Sequence, residues 1–179
     1  MTKAYTGPSR ESTIRSKPFI RERFGVLSDG MGQLLIDRVY DVLHADASDV
    51  PESPAMTPAY FLVDRLWPRG VKKADLPLDG WPKELTPSKE LRMALHDDDL
   101  SWESFTEAYR GELDERHADH ELDDALAAIR TALSGNGSGK GTSNDSGTGD
   151  VVLLFAGKDT DHTHAKVLRD WLENALTSD

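Results

Sequence analysis

Six consecutive apolar residues, Val151-Val152-Leu153-Leu154-Phe155-Ala156, constrain the fold of this chain more than any other feature. A strand with one face in water alternates apolar and polar side chains, whereas a strand covered on both faces has no such need. The run therefore reads as a strand buried on both sides, and Tyr60 to Leu66 reads the same way. Leu34 to Leu43, rich in branched and aromatic residues, reads as a further strand bounded by Gly32 and the polar residues after His44. Trp67-Pro68-Arg69-Gly70 closes the second strand, because proline cannot donate to a ladder and a glycine two residues later suits a tight turn.

Between the second strand and the apolar run the periodicity changes to that of helices. Thr86-Pro87-Ser88 offers a cap for a short helix through Leu91 and Leu95. Trp102, Phe105, Tyr109 and Leu113 form one helical stripe starting near Ser101, and Leu122, Ala125, Leu126, Ile129 and Leu133 form another. These stripes read as core packing. A last helix is expected from about Asp161 to Leu176. Strands alternating with helices place the chain in the α/β class: a small, mainly parallel sheet flanked by helices, a Rossmann-like three-layer sandwich. The loop-only link expected between Ala45 and Ala59, which carries Pro51, Pro54 and Pro58, leaves the direction of the first strand open.

One α/β domain over residues 31–179 is expected, preceded by an extension over residues 1–30 that shows no period. It is interrupted by a flexible insertion over residues 134–150, which holds six of the 14 glycines. Gly139-Lys140-Gly141-Thr142 within it is not a phosphate-cradling loop, because it follows a helix and precedes a strand, the reverse of the required order. No segment reaches the roughly 20 apolar residues a spanning helix needs. The basic stretch from Met1 to Arg23 lacks the apolar core of a secretory signal, so a cytoplasmic protein without a membrane partner is expected.

Chemistry in an open parallel sheet is expected beyond the carboxyl ends of the strands. Tyr40 and Asp41 fall near the end of the first strand, Asp64 and Arg65 at the end of the second with Trp67, Arg69 and Gly70 just after, and Lys158 after the third. The helix that follows carries His162 and His164 near its start, where free amides and a partial positive charge favour anions. At 100° per residue His164 falls on the buried face with Ala165, Leu168, Trp171 and Leu172, and His162 falls on the flank with Arg169, towards solvent. Arg65, Arg69 and Lys158 would then hold a phosphate or carboxylate, Asp64 or Asp41 would act as base, and His164 would move a proton. Each has a plainer role as well: Asp64 and Arg65 as pairing groups at a strand end, Trp67 as a packing lid. His162 and His164, two apart on a helix, diverge by about 160° and make a poor metal pair. No metal and no cofactor are expected, and the absence of cysteine excludes disulfides and thiol chemistry.

The strings Arg38-Val39-Tyr40-Asp41, Leu62-Val63-Asp64-Arg65-Leu66-Trp67-Pro68-Arg69-Gly70-Val71-Lys72-Lys73, Trp81 to Arg92, Leu153 to Asp159 and His162-Thr163-His164-Ala165 resemble the short, YeaO-like branch of domain-of-unknown-function family 488. The resemblance implies an α/β fold without an established activity, with motif residues at Asp64, Arg65, Trp67, Pro68, Arg69, Gly70, Lys158 and His164. It departs at Thr163, where the branch usually has asparagine, and longer relatives carry cysteines that this chain lacks.

Net charge bears on partners through its placement. The chain carries 21 Lys+Arg and 32 Asp+Glu, a net charge of −11. Residues 97–124 hold 12 acidic and two basic residues, a local −10, whereas residues 64–73 hold four basic and one acidic, a local +3. Long nucleic-acid tracks are thus disfavoured, while a small anionic ligand at a strand end is compatible. The alternative is a non-enzymatic recognition module, in which the Arg-Trp-Pro-Arg edge engages a protein or nucleic-acid partner with Trp67 as anchor. The oligomeric state is left open.

Overall fold

The computed structural model describes residues 32–44, 58–97, 99–135 and 149–177. The expected extension over residues 1–30, the loop prolines Pro51 and Pro54, and all but the ends of the 134–150 insertion lie outside these residues.

Three parallel strands form the sheet: β1 (Leu34–Arg38), β2 (Ala59–Leu62) and β3 (Val151–Phe155), in the order β1-β3-β2. The apolar run is the central strand. Leu34 lies opposite Val151 and Arg38 opposite Phe155 on one side, and Ala59 opposite Val151 and Leu62 opposite Leu154 on the other. All five residues of β3 are buried, as an unalternating strand requires.

Alternation sends the sheet's side chains into two apolar clusters. Leu34, Ile36, Phe61, Val63, Val151, Leu153 and Phe155 face four helices: α2 (Lys89–His96), α3 (Trp102–Ala118), α4 (Asp123–Leu133) and α5 (His164–Thr177). Leu35, Leu62, Val152 and Leu154 face the other way, onto the short helix α1 (Val39–Leu43) and the long segment after β2, with Leu76, Trp67 and Trp81. The α/β class holds, with the second layer thin among the described residues. The predicted helical stripes pack in the first cluster, with Leu95 and Trp102 partly buried at its edge, and Ser88 and Ser101 cap α2 and α3 by accepting from the Leu91 and Ser104 amides.

Three boundaries differ from the sequence reading. The first strand stops at Arg38, because its partner β3 ends at Phe155, and residues 39–43 coil into α1. Val39, Val42 and Leu43 stand at i, i+3 and i+4, so the stretch also satisfies a helical period and packs into the second cluster that way. The second strand ends at Leu62, though the Val63 amide still donates to the Leu154 carbonyl at 2.9 Å, and Leu66 is 71% exposed. The last helix starts at His164, not Asp161. The Asp159 carboxylate accepts from the amides of Asp161 and His162 at 2.8 and 3.0 Å, which makes a turn there, and Thr163 Oγ1 then accepts from the Ala165 amide at 3.4 Å. Threonine and asparagine both cap helices in this way, so the departure at Thr163 preserves the local physics.

The outer edge of β2 is covered from within the chain. Asp79 and Gly80 donate to the Tyr60 carbonyl, and the Leu62 amide donates to the Gly80 carbonyl at 3.0 Å. An edge satisfied in this way offers no template for another strand.

Candidate functional site

The carboxyl ends of β2 and β3 meet at Asp64. Its Oδ2 accepts from the Ala156 amide at 2.6 Å, which joins the end of β2 to the end of β3. Its Oδ1 lies 3.3 Å from His164 Nε2, and both side chains are 19% exposed. The same Nε2 lies 2.9 Å from the Val63 carbonyl oxygen. A carbonyl can only accept, so Nε2 carries the hydrogen, and in the neutral ring Nδ1 is the basic nitrogen. As expected from its helical position, His164 points to the strand ends. At β1, Arg38 Nε donates to the Gly157 carbonyl at 3.0 Å, while Arg38 Nη1 lies 3.6 Å from Asp41.

A cleft of about 200 Å³ opens beside this junction, lined by Pro87, Arg92, Leu95, Phe105, Gly157, Lys158, Asp159, His162, Thr163 and His164. Helix α3 sets one wall. Arg116 donates to the carbonyls of Glu84 and Thr86 at 2.9 and 2.8 Å, and Glu112 accepts from the Ser88 amide at 2.9 Å, which fixes the turn that carries Pro87 and begins α2. Arg92 is half-buried, with Nε donating to the Ser88 carbonyl at 3.3 Å. The floor is the turn into α5, where the amides of His162 and Asp161 hold the Asp159 carboxyl below its usual range. With both imidazoles neutral, Arg92 and Lys158 against Asp159 give the lining a charge of 2 − 1 = +1.

The predicted site residues divide into two groups. Asp64 and His164 are joined, and His164 and Lys158 line the cleft. Arg65, Arg69 and Gly70 are exposed, and among the described residues neither arginine side chain has an ion pair. Gly70 has φ of +76° and follows Pro68-Arg69 in a turn closed by the Val71 amide on the Pro68 carbonyl, which gives it a backbone role. Tyr40 donates from its hydroxyl to the Arg69 carbonyl at 3.1 Å, and Asp41 is exposed beside Arg38. Trp67 is half-buried: its indole donates to the Val71 carbonyl at 2.7 Å, and its ring meets Trp81 edge-on at 5.5 Å. Trp81 in turn donates to the Asp64 carbonyl at 2.6 Å, so the tryptophan pair braces the backbone under Asp64.

Two arginines escaped the sequence reading in opposite ways. Arg92 sits in a charged helix where nothing marks it, except its place four residues after the Ser88 cap. Arg169, expected towards solvent, is 8% exposed and pairs with Asp170 at 2.7 Å, away from the cleft lining. His162 is exposed as expected, and still lines the cleft. Among the described residues no group of three or more His, Asp or Glu is placed to hold a metal ion.

A family model described as "Inactive DUF488-N3 subclade" matches residues 34–130. The chain belongs to domain-of-unknown-function family 488. It is 42% identical over 113 residues to the uncharacterized protein YeaO of Escherichia coli (strain K12), covering 63% of this chain and 82% of that one. It is 41% identical over 61 residues to the uncharacterized protein Rv3073c of Mycobacterium tuberculosis (strain H37Rv), covering 34% of this chain and 52% of that one. No solved structure matches the chain. The family match takes in Asp64, Trp67 and Arg92, and ends before Lys158 and His164. No helix among the described residues is long and apolar enough to cross a membrane.

Proposed function

We infer that the cleft beside Asp64 and His164 binds a small anion of the phosphate, nucleotide or carboxylate class. The observation that carries this reading is the meeting of Arg92 and Lys158, from two different parts of the chain, on one concave surface next to a buried-edge histidine. A half-buried guanidinium braced by its own helix loses little side-chain freedom on binding and presents paired donors to a planar or tetrahedral anion. The description of the matched subclade as inactive favours a role without turnover and is silent on binding.

Calorimetric titration with inorganic phosphate and with acetate tests this directly. Losing one charge-assisted contact costs about 1.5–3 kcal/mol, so Arg92→Ala and Lys158→Ala should each weaken binding by roughly 10- to 150-fold. Arg69→Ala should leave it unchanged. Equal affinity in Arg92→Ala, Lys158→Ala and the parent protein, or no binding of either anion, would overturn the reading.

The Asp64–His164 pair supports a second reading, acid–base chemistry at the same place. Asp64 is committed to the Ala156 amide and to the imidazole, so it orients and His164 Nδ1 is the proton carrier. Release of product from simple phosphate or carboxylate esters, lost in His164→Ala, is the expected sign; inert esters with intact anion binding would leave the binding function alone. The recognition alternative draws less support, since Trp67 is turned into packing against Trp81.

A further inference from the structure

A second cleft, of about 550 Å³, is lined by Leu95, Leu100, Ser101, Trp102, Asp159 and His162. It shares Leu95, Asp159 and His162 with the first, so the two clefts adjoin. Its chemistry differs. Both cationic side chains, Arg92 and Lys158, line the smaller part, and the larger part gains Leu100 and Trp102. The Trp102 ring stacks on Phe105 of the smaller part at 5.2 Å and meets the His162 ring edge-on at 5.3 Å, so an aromatic wall runs from one part into the other.

Size and charge together narrow the ligand. Small-molecule sites usually span about 300–1,000 Å³. The cationic part, at about 200 Å³, accommodates an anionic head and little else, whereas the larger part, at about 550 Å³, lies within the usual range by itself. We propose that the ligand is an anion carrying a flat apolar ring, with the head between Arg92 and Lys158 and the ring along Leu95, Leu100 and Trp102. This rests on the anion-binding reading. Orientation follows from charge: Asp159 lines both parts and repels a negative head from each, and only the smaller part offsets it, with Arg92 and Lys158. The ring's gain comes from burial against aromatic and leucine side chains.

Three probes separate the two claims: inorganic phosphate, methyl phosphate and phenyl phosphate, titrated calorimetrically against the full chain. Phenyl phosphate should bind about tenfold tighter than methyl phosphate. Trp102→Leu should remove most of that gap while leaving methyl phosphate within about twofold, and Arg92→Ala should weaken all three. Leu100→Ser, at a half-buried position that leaves the Trp102–Phe105 stack in place, gives the same reading if Trp102→Leu misfolds. Equal affinities for phenyl and methyl phosphate, or a gap that survives both shelf substitutions, would refute the ring site and leave the anion site standing. No binding by any of the three would remove both.

Discussion

Replacing Asp64 with alanine removes the carboxylate that ties the ends of β2 and β3 to the start of α5. The structure sets the magnitude. One oxygen accepts the Ala156 amide at 2.6 Å, and the side chain is only 19% exposed, so this is a charge-assisted bond largely shielded from water. Such bonds contribute about 1.5–3 kcal/mol, and alanine also leaves the Ala156 amide without its partner. The contact with His164 adds less, because at 3.3 Å it shares a hydrogen that the Val63 carbonyl holds at 2.9 Å. A loss of about 2 kcal/mol is expected. For a chain of this length that corresponds to a fall in melting temperature of roughly 4–8 °C. Thermal unfolding followed by circular dichroism at pH 7, with urea denaturation as a second measure, reads it directly. Asp64→Asn keeps an oxygen for the amide but not the charge, and should recover about half the loss. Arg69→Ala, at an exposed position without an ion pair, should stay within about 0.5 kcal/mol of the parent. A change below about 0.5 kcal/mol in Asp64→Ala would mean that the strand ends are held without this carboxylate, and the reasoning would fail.

Tyr109 is fully buried and donates to the Leu85 carbonyl at 2.5 Å, and burial pushes its phenol far above the ordinary range, so it stays a donor throughout the folded state's working pH. Tyr109→Phe should lower stability by about 1–1.5 kcal/mol in urea denaturation, and an unchanged midpoint would show that another donor reaches Leu85. Burial also raises the carboxyl of Glu173, whose Oε1 has no hydrogen-bond partner among the described residues. A raised folded value favours the protonated form, so its contribution is full below the ordinary glutamate value of about 4.3 and is lost as pH rises through the folded value. Glu173→Gln should therefore melt about 1–2 °C above the parent at pH 7, a small gain since the group is only partly buried and screened, and should lose that advantage near pH 4. An advantage that persists at pH 4 would assign the gain to something other than charge.

The layers of the fold were legible because burial leaves a simple mark on a sequence. Val151 to Phe155 reads as a doubly covered strand and is one, and the stripes of α3 and α4 read as core faces and pack as such, with Trp102 at the edge only partly buried. Boundaries were less legible because they depend on a partner elsewhere. Leu34 to Leu43 carries both a strand's composition and, from Val39, a helix's spacing, and the choice between them falls where β3 runs out at Phe155. The start of α5 was misplaced for a different reason: an aspartate can cap a turn before the helix as readily as the helix itself, and Asp159 does the former.

At the strand ends, sequence indicates which residues arrive but not which way the chain leaves. Asp64 and His164 could be brought together on paper, because the direction of the second strand leads to Asp64 and the helical period turns His164 towards the strand ends. Arg65 and Arg69 follow the last ladder bond of β2, and the Pro68–Gly70 turn carries them outward to solvent. Lys158 remains at the cleft, and the arginine there comes instead from α2, whose place is set by Glu112 and Arg116 of another helix. A tertiary bond between two charged helices leaves no period to read. The net charge of −11 is misleading for the same reason. Residues 97–124, which take in α3 and the start of α4, carry −10 of it, and the buried faces of these helices pack into the core while their acidic faces stay in water. The chain can therefore be strongly acidic overall and still line the cleft with two cations and one carboxylate, and under the proposed function the local charge at Arg92 and Lys158, and not the total, is what would select an anion.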